Sequence, residues 1–198
     1  MKTAEATRLL KPYFIWVLAP HLESDDPNIQ HYYDFTQSIK EYTQVFDELR
    51  TEWKWQPVTL DNYRSIIKSI ATGKNGKTPL VLNLCDGDEV NGTPGISVIK
   101  LLQQKNIMYT GADEYFYTIT TSKIPMKVAF DTAEVPTPKW EAILTVSKNT
   151  QNIFEQLGTP IIIKPCVSGG SMGVGIKNVV ENGVPYFGTS AGSNITGL

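Results

Sequence analysis

The 198-residue chain holds only two cysteines and two histidines. Cys85 and Cys166 have no second Cys or His at ligand spacing, which argues against a zinc site and suits a reducing compartment. Both read as small buried residues rather than reactive thiols. Charge of one sign is equally scarce: 18 basic and 20 acidic residues give a formal net charge of −2, with no long single-sign block. Such a chain has no electrostatic footprint for nucleic acid or for a membrane surface, and small ligands become the expected partners. Long apolar runs are missing too. The stretch Tyr13 to Ala19 is too brief to cross a bilayer and lacks a small-residue cleavage pattern, so cytoplasmic residence is the default expectation.

With 41% hydrophobic and 10% aromatic residues, the chain has enough apolar material for one domain or two small ones. Its first half alternates strand and helix patterns. Strands are expected at Tyr13 to Ala19, Pro57 to Leu60, Thr78 to Leu84 and Ile107 to Tyr109. Between them, Phe35, Ile39, Tyr42, Phe46 and Leu49 form one helical stripe after the start signal Asp25-Asp26-Pro27, and Tyr63, Ile66, Ile67 and Ile70 form a second that stops at Gly73. A third helix is expected to open with Thr93 as N-cap and Pro94 at the first helical position, continuing through Ile96, Ile99 and Leu102. This order predicts an α/β fold, a doubly wound parallel sheet covered on both faces through right-handed crossovers. Function in such sheets collects at the carboxyl ends of the strands.

Three places carry chemistry. After the third strand, Asp86, Asp88 and Glu89 put three carboxylates within four residues, suited either to a substrate amine or cation or to capping the helix that follows. From Thr118 to Ala133, a helix with Ser122 as cap and Pro125 in its first turn places Lys123 and Lys127 on one face near the N-terminus. Cations there oppose the helix dipole, which leaves an anionic ligand or plain solvation as explanations. Finally, Ile161-Ile162-Ile163-Lys164-Pro165 reads as a buried strand ending in a lysine, followed by the glycine-rich run Ser168 to Gly175. Bare backbone amides beside a compact positive charge suit a polyphosphate, and a flexible hairpin would use the same residues.

The segments Asn83-Leu84-Cys85-Asp86-Gly87, Asn91-Gly92-Thr93-Pro94-Gly95, Ile107-Met108-Tyr109-Thr110-Gly111, Thr121-Ser122-Lys123 with Lys127, Val135-Pro136-Thr137-Pro138 and Ile161 to Gly173 follow one another as in a known family. In order and rough spacing the chain resembles the D-alanine–D-alanine ligase family of ATP-grasp enzymes. The resemblance implies a Rossmann-like pre-ATP-grasp domain over 1–117, the small ATP-grasp subdomain over 118–180 and an atypical tail over 181–198. It further implies an ATP-dependent carboxylate–amine ligase that phosphorylates a carboxylate and lets an amine attack the acyl phosphate, with a small amino-acid-like substrate. Lys123, Lys164, Gly169, Gly170, Ser171 and Gly173 match the family's ATP-phosphate contacts. Where the family has a glycine-serine-glutamate signature and a histidine, this chain has Ala19-Pro20-His21-Leu22-Glu23 and Asp86, so Glu23 and Asp86 are the candidates for substrate contact. The magnesium-binding carboxylates of the family belong to a second ATP-grasp subdomain that the chain lacks, so no metal ligand is expected in it, and a fragment inactive alone is the expectation.

The last residues raise another class. Val184 to Asn194 leads a strand candidate into the pattern Gly188-x-Ser190-x-Gly192, which resembles the nucleophile elbow of the peptidase E family. A serine nucleophile needs a nearby base, and His21 and His31 both lie far upstream. No catalytic residue is therefore assigned, Ser171 and Ser190 being the candidates. A third reading is a non-catalytic remnant that binds nucleotide or partner, with an exposed sheet edge favouring a homodimer.

Overall fold

The segment Tyr13–Pro20 is apolar at every position, which is tolerable only for a strand covered on both faces. In the computed structural model, which describes residues 2–23, 25, 33–144, 152–158 and 161–167, this strand is β1 at the interior of a parallel sheet. Helix α1 (Lys2–Leu10) precedes it. The chain continues through α2 (Thr36–Glu48), β2 (Trp53–Val58), α3 (Tyr63–Ala71), β3 (Thr78–Asn83), α4 (Ile96–Gln104) and β4 (Met108–Tyr109). The sheet order is β2-β1-β3-β4, with β1 paired to β2 from Ile15↔Trp53 and to β3 from Tyr13↔Thr78, all parallel.

Alternation along β1 splits the core in two. Phe14, Trp16 and Leu18 face a cluster with Tyr63, Ile67 and Ile70 of α3 and Val98 and Leu102 of α4, while Ile15 and Val17 face Phe46 and Tyr42 of α2 and Leu10 of α1. Helices thus cover both faces, as the strand and helix order implies. Ile67, Ile70, Val98, Ile99 and Leu102 are fully buried; each such side chain contributes about 1.5–3 kcal/mol by leaving water.

Several boundaries differ from the sequence expectation. The second strand begins at Trp53 and ends at Val58 rather than running from Pro57 to Leu60, because Trp53 and Trp55 lean onto the α2 face; Pro57 is accommodated on an edge strand, where a missing N–H breaks no ladder. Helix α2 starts at Thr36, whose N–H donates to Asp34 Oδ1 at 2.9 Å, and Ile39 of the expected stripe stays 37% exposed. Helix α4 starts at Ile96 with Gly95 as its N-cap, two residues after the expected cap Thr93. The polar N-terminus, given no element from sequence, forms α1, which Leu10 anchors beneath the sheet.

The chain divides into two compact units, Met1–Tyr117 and Thr118–Leu198. Helix α5 (Glu114–Thr121) leads across that point. The helix expected within Thr118 to Ala133, with Ser122 as cap and Pro125 in its first turn, is α6 (Lys123–Thr132), and Ser122 ahead of it is extended (φ −108°, ψ 136°). Ser122 holds the N-cap position without a side-chain capping bond, because its backbone forms an antiparallel bridge with Val167 instead. A short helix α7 (Ile153–Leu157) follows. The buried strand expected at Ile161 to Lys164 is not found. Ile162 and Ile163 are 53% and 65% exposed, and this segment makes isolated bridges rather than a ladder.

Candidate functional site

The order β2-β1-β3-β4 reverses direction between β1 and β3, the kind of switch point at whose carboxyl edge α/β proteins hold ligands. Both substrate-contact candidates lie on those loops, Glu23 three residues after β1 and Asp86 three residues after β3, and both are exposed. The loops touch. A Cβ added at Gly92 would lie 3.1 Å from Leu22 Cδ1, so the residue next to Glu23 packs on the loop that carries Asp86.

The three carboxylates after β3 separate by role. Glu89 accepts from the N–H groups of Gly95 (3.2 Å) and Ser97 (2.6 Å) and from Ser97 Oγ (2.9 Å), and so caps α4 from seven residues upstream of its start. Asp88 accepts from the backbone N–H of Asn91 (2.9 Å) and from Asn91 Nδ2 (2.6 Å), closing the intervening turn. Of the alternatives open from sequence, capping therefore claims Glu89, a turn claims Asp88, and Asp86 alone stays exposed for a ligand.

The loop geometry explains the glycines around it. Gly87 and Gly95 form a parallel bridge, Gly87 N–H donates to Pro94 O at 3.0 Å and Glu89 N–H to Thr93 O at 3.0 Å. A Cβ on either glycine would come closer than 3.0 Å to the facing backbone, to Thr93 O from Gly87 and to Gly87 O from Gly95. Only glycine fits at both positions.

Behind Asp86, side chains that the sequence reading passed over fix the end of β3. Asn83 Nδ2 donates to Cys85 O (3.3 Å) and Tyr117 Oη (3.4 Å), Tyr117 Oη donates to Cys85 O (3.3 Å), and the Asn83 N–H donates to Thr110 Oγ1 (3.1 Å). Burial first, and the nearby Asp86 charge second, raise the Tyr117 hydroxyl above its ordinary value, so it stays a protonated donor. The same two causes push the Cys85 thiol up to about 12, which makes it an inert packing group. A lone asparagine ending an apolar strand was the available signal for this cluster.

In the second unit, the Lys123 N–H donates to Cys166 O at 2.8 Å beside the Ser122↔Val167 bridge. This lacing brings the start of α6 alongside the segment that carries Lys164. Lys123 is partly buried and Lys164 exposed. Lys127 donates to Pro138 O at 3.2 Å, which ties α6 to the segment after it. Gly169, Gly170, Ser171, Gly173 and Ser190 lie outside the described residues. Cys166, read from sequence as buried, is exposed. Among the described residues no group of three His, Cys, Asp or Glu side chains could hold a metal ion, and no helix is long and apolar enough to cross a membrane.

A four-stranded parallel sheet with helices on both faces defines an α/β fold. No family model matches the chain. It is similar to the D-alanine–D-alanine ligase of Xylella fastidiosa, 30% identical over 96 residues that cover 48% of this chain and 31% of that protein. It is similar also to the D-alanine–D-alanine ligase of Marinobacter nauticus (32% over 74 residues, 37% of this chain and 22% of that protein) and to D-alanine–D-alanine ligase B of Xanthomonas campestris pv. campestris (32% over 97 residues, 48% and 30%). The chain spans about a third or less of the length of the curated relatives it matches. These partial likenesses support a distant relation to the D-alanine–D-alanine ligases.

Proposed function

We propose that this chain supplies the amino-terminal part of an ATP-grasp ligase of D-alanine–D-alanine ligase type, one that activates a carboxylate with ATP and joins it to an amine. The observation that carries this reading is the ordered series of six segments from Asn83 to Gly173, together with several ligases about 30% identical over the matched stretch. In this reading the exposed Asp86 faces the ammonium of an amino-acid substrate, and Glu23 on the adjoining loop adds a second negative charge. Lys123 and Lys164 hold the triphosphate, where two ammonium groups offset the charge that moves during phosphoryl transfer. The glycines of 169–173 aim backbone amides at the same phosphates. Magnesium, which this class of reaction requires, has no ligand assigned among the described residues, and the small ATP-grasp subdomain over 118–180 is likewise part of the proposal.

The test is a thermal titration of the 198-residue protein with ATP and magnesium. Ligand at about a hundredfold excess over Kd stabilises by about 2.7 kcal/mol, and the Lys123→Ala and Lys164→Ala variants should each remove most of that shift. An unshifted melt in the parent protein, or an undiminished shift in both variants, overturns the assignment.

A further inference from the structure

Helices α3 and α4 lie side by side on one face of the sheet, and the groove between them, of about 410 Å³, is lined by Arg64, Lys68, Lys100 and Lys105 with Ser97 and Gln104, and by no carboxylate. Four cations converge here in a chain whose formal net charge is −2. Of these four, only Lys100 has an ion pair with a described residue, Glu114 of α5 at 3.2 Å. Lys68 in the last turn of α3 and Lys105 at the C-cap of α4 suit their helix dipoles, but Arg64 does not. Arg64 and Lys68 are like charges four residues apart, and Arg64 sits in the first turn of α3, where the helix dipole disfavours a cation. Arg64 is nonetheless held in place, its Nε donating to Tyr63 Oη at 2.9 Å and its guanidinium lying 5.4 Å from that ring's centroid. A guanidinium fixed through Nε keeps its outer N–H groups for an oxyanion.

We propose that this groove is a second anion site, which takes a chain of two or three linked phosphates, either free oligophosphate or the tail of a nucleotide. The spacing selects that class. Residues four or five apart on a helix are separated by about 6–8 Å along its axis, a spread that linked phosphates bridge and a single phosphate does not. The volume falls in the range of small-molecule pockets, and the acidic balance of the rest of the chain leaves no continuous basic surface for a long polyanion. Gln104 adds a neutral hydrogen-bonding group at the groove wall, whereas the Ser97 hydroxyl is committed to Glu89 Oε2 at 2.9 Å.

Isothermal titration of the whole chain with inorganic tripolyphosphate, without magnesium, tests the site. To separate it from the phosphate contacts proposed for Lys123 and Lys164, the titration is repeated in a Lys123→Ala, Lys164→Ala double variant, where saturable one-site binding should persist. Arg64→Gln with Lys105→Gln should weaken that binding by about tenfold or more, and Arg64→Lys should fall between, because it keeps the charge and loses the fork. Circular dichroism verifies that these surface variants are folded. Tripolyphosphate and ATP of equal affinity assign a free oligophosphate; tighter ATP assigns a nucleotide; either outcome upholds the groove. Absence of saturable binding in the double variant, or an affinity that Arg64→Gln with Lys105→Gln leaves unchanged, overturns it.

Discussion

Replacing Glu89 by alanine should destabilise the first unit through one helix end. The carboxylate accepts three hydrogen bonds, from Gly95 N–H, Ser97 N–H and Ser97 Oγ, at the start of a helix whose Val98, Ile99 and Leu102 are fully buried. Loss of an N-cap costs about 1–2 kcal/mol, and bonds to a charged acceptor lie above the neutral average. The freed donors sit in a part-buried loop that water can reach, which holds the sum to about 2 kcal/mol. Glu89 also has φ +62°, a left-handed conformation that costs a residue with a Cβ about 1 kcal/mol. Glu89→Gly therefore loses the cap and regains part of that cost, so it should rank between the parent and Glu89→Ala. Urea unfolding followed by the fluorescence of Trp16, Trp53 and Trp55, all in the first unit, reads the effect. With a slope of about 2 kcal/mol per molar, the alanine midpoint should fall by about 1 M and the glycine midpoint by about half that. A midpoint shift under about 0.3 M for alanine, or glycine less stable than alanine, would refute the capping argument.

Gly95→Ala should cost the first unit about 3 kcal/mol, since the new Cβ overlaps Gly87 O and neither backbone can withdraw without breaking their bridge; the same urea melt checks it. Cys85 and Cys166 should differ in reactivity: iodoacetamide at pH 8 should modify Cys166 alone in the native protein and both residues in urea, as counted by mass spectrometry. The raised Cys85 thiol has a consequence for pH as well. Its stabilising contribution is complete below about pH 9, where the unfolded thiol is still protonated, and drains away between pH 9 and about 12 as the unfolded state alone ionises. Cys85→Ala should flatten that part of the stability curve.

How much of this could be read from the sequence depended on whether one element's own residues determined its place. The run Tyr13–Pro20 declares itself a central strand because no polar residue offers a solvent face. The tryptophans of β2 were harder, since Trp53, Lys54, Trp55 and Gln56 alternate as an edge strand does, while Pro57 drew the boundary too late. Tertiary partners decided the rest. Whether Glu89 caps or binds depends on Gly95 and Ser97 coming back to meet it, and Ser122, legible as a cap, also pairs its backbone with Val167, 45 positions later, which no local pattern announces. The apolar triplet Ile161 to Ile163 has strand composition, but composition does not supply a neighbour to cover it.

The proposed substrate and phosphate contacts lie in different units, each held by its own bonds. The loop that carries Asp86 is tied by the Gly87↔Gly95 bridge, by Glu89 to Ser97, by Asp88 to Asn91 and by Leu22 against Gly92, so a ligand meeting Asp86 finds it already placed. Among the described residues, the segment that carries Lys164 is tied to α6 by the Ser122↔Val167 bridge and the Lys123 N–H to Cys166 O bond. Ligand stabilises the unit that contacts it, and the phosphate contacts proposed for Lys123 and Lys164 belong to the second unit. ATP should therefore raise the melting midpoint reported by Trp140, whose indole N–H donates to Asp131 Oδ2 at 2.9 Å in the second unit, more than the midpoint reported by Trp16, Trp53 and Trp55. Variants that retain Trp140 alone, or the other three alone, separate the two readings. Equal shifts in both would mean that the nucleotide orders the chain as one body, and the distinction drawn from these contacts would fail.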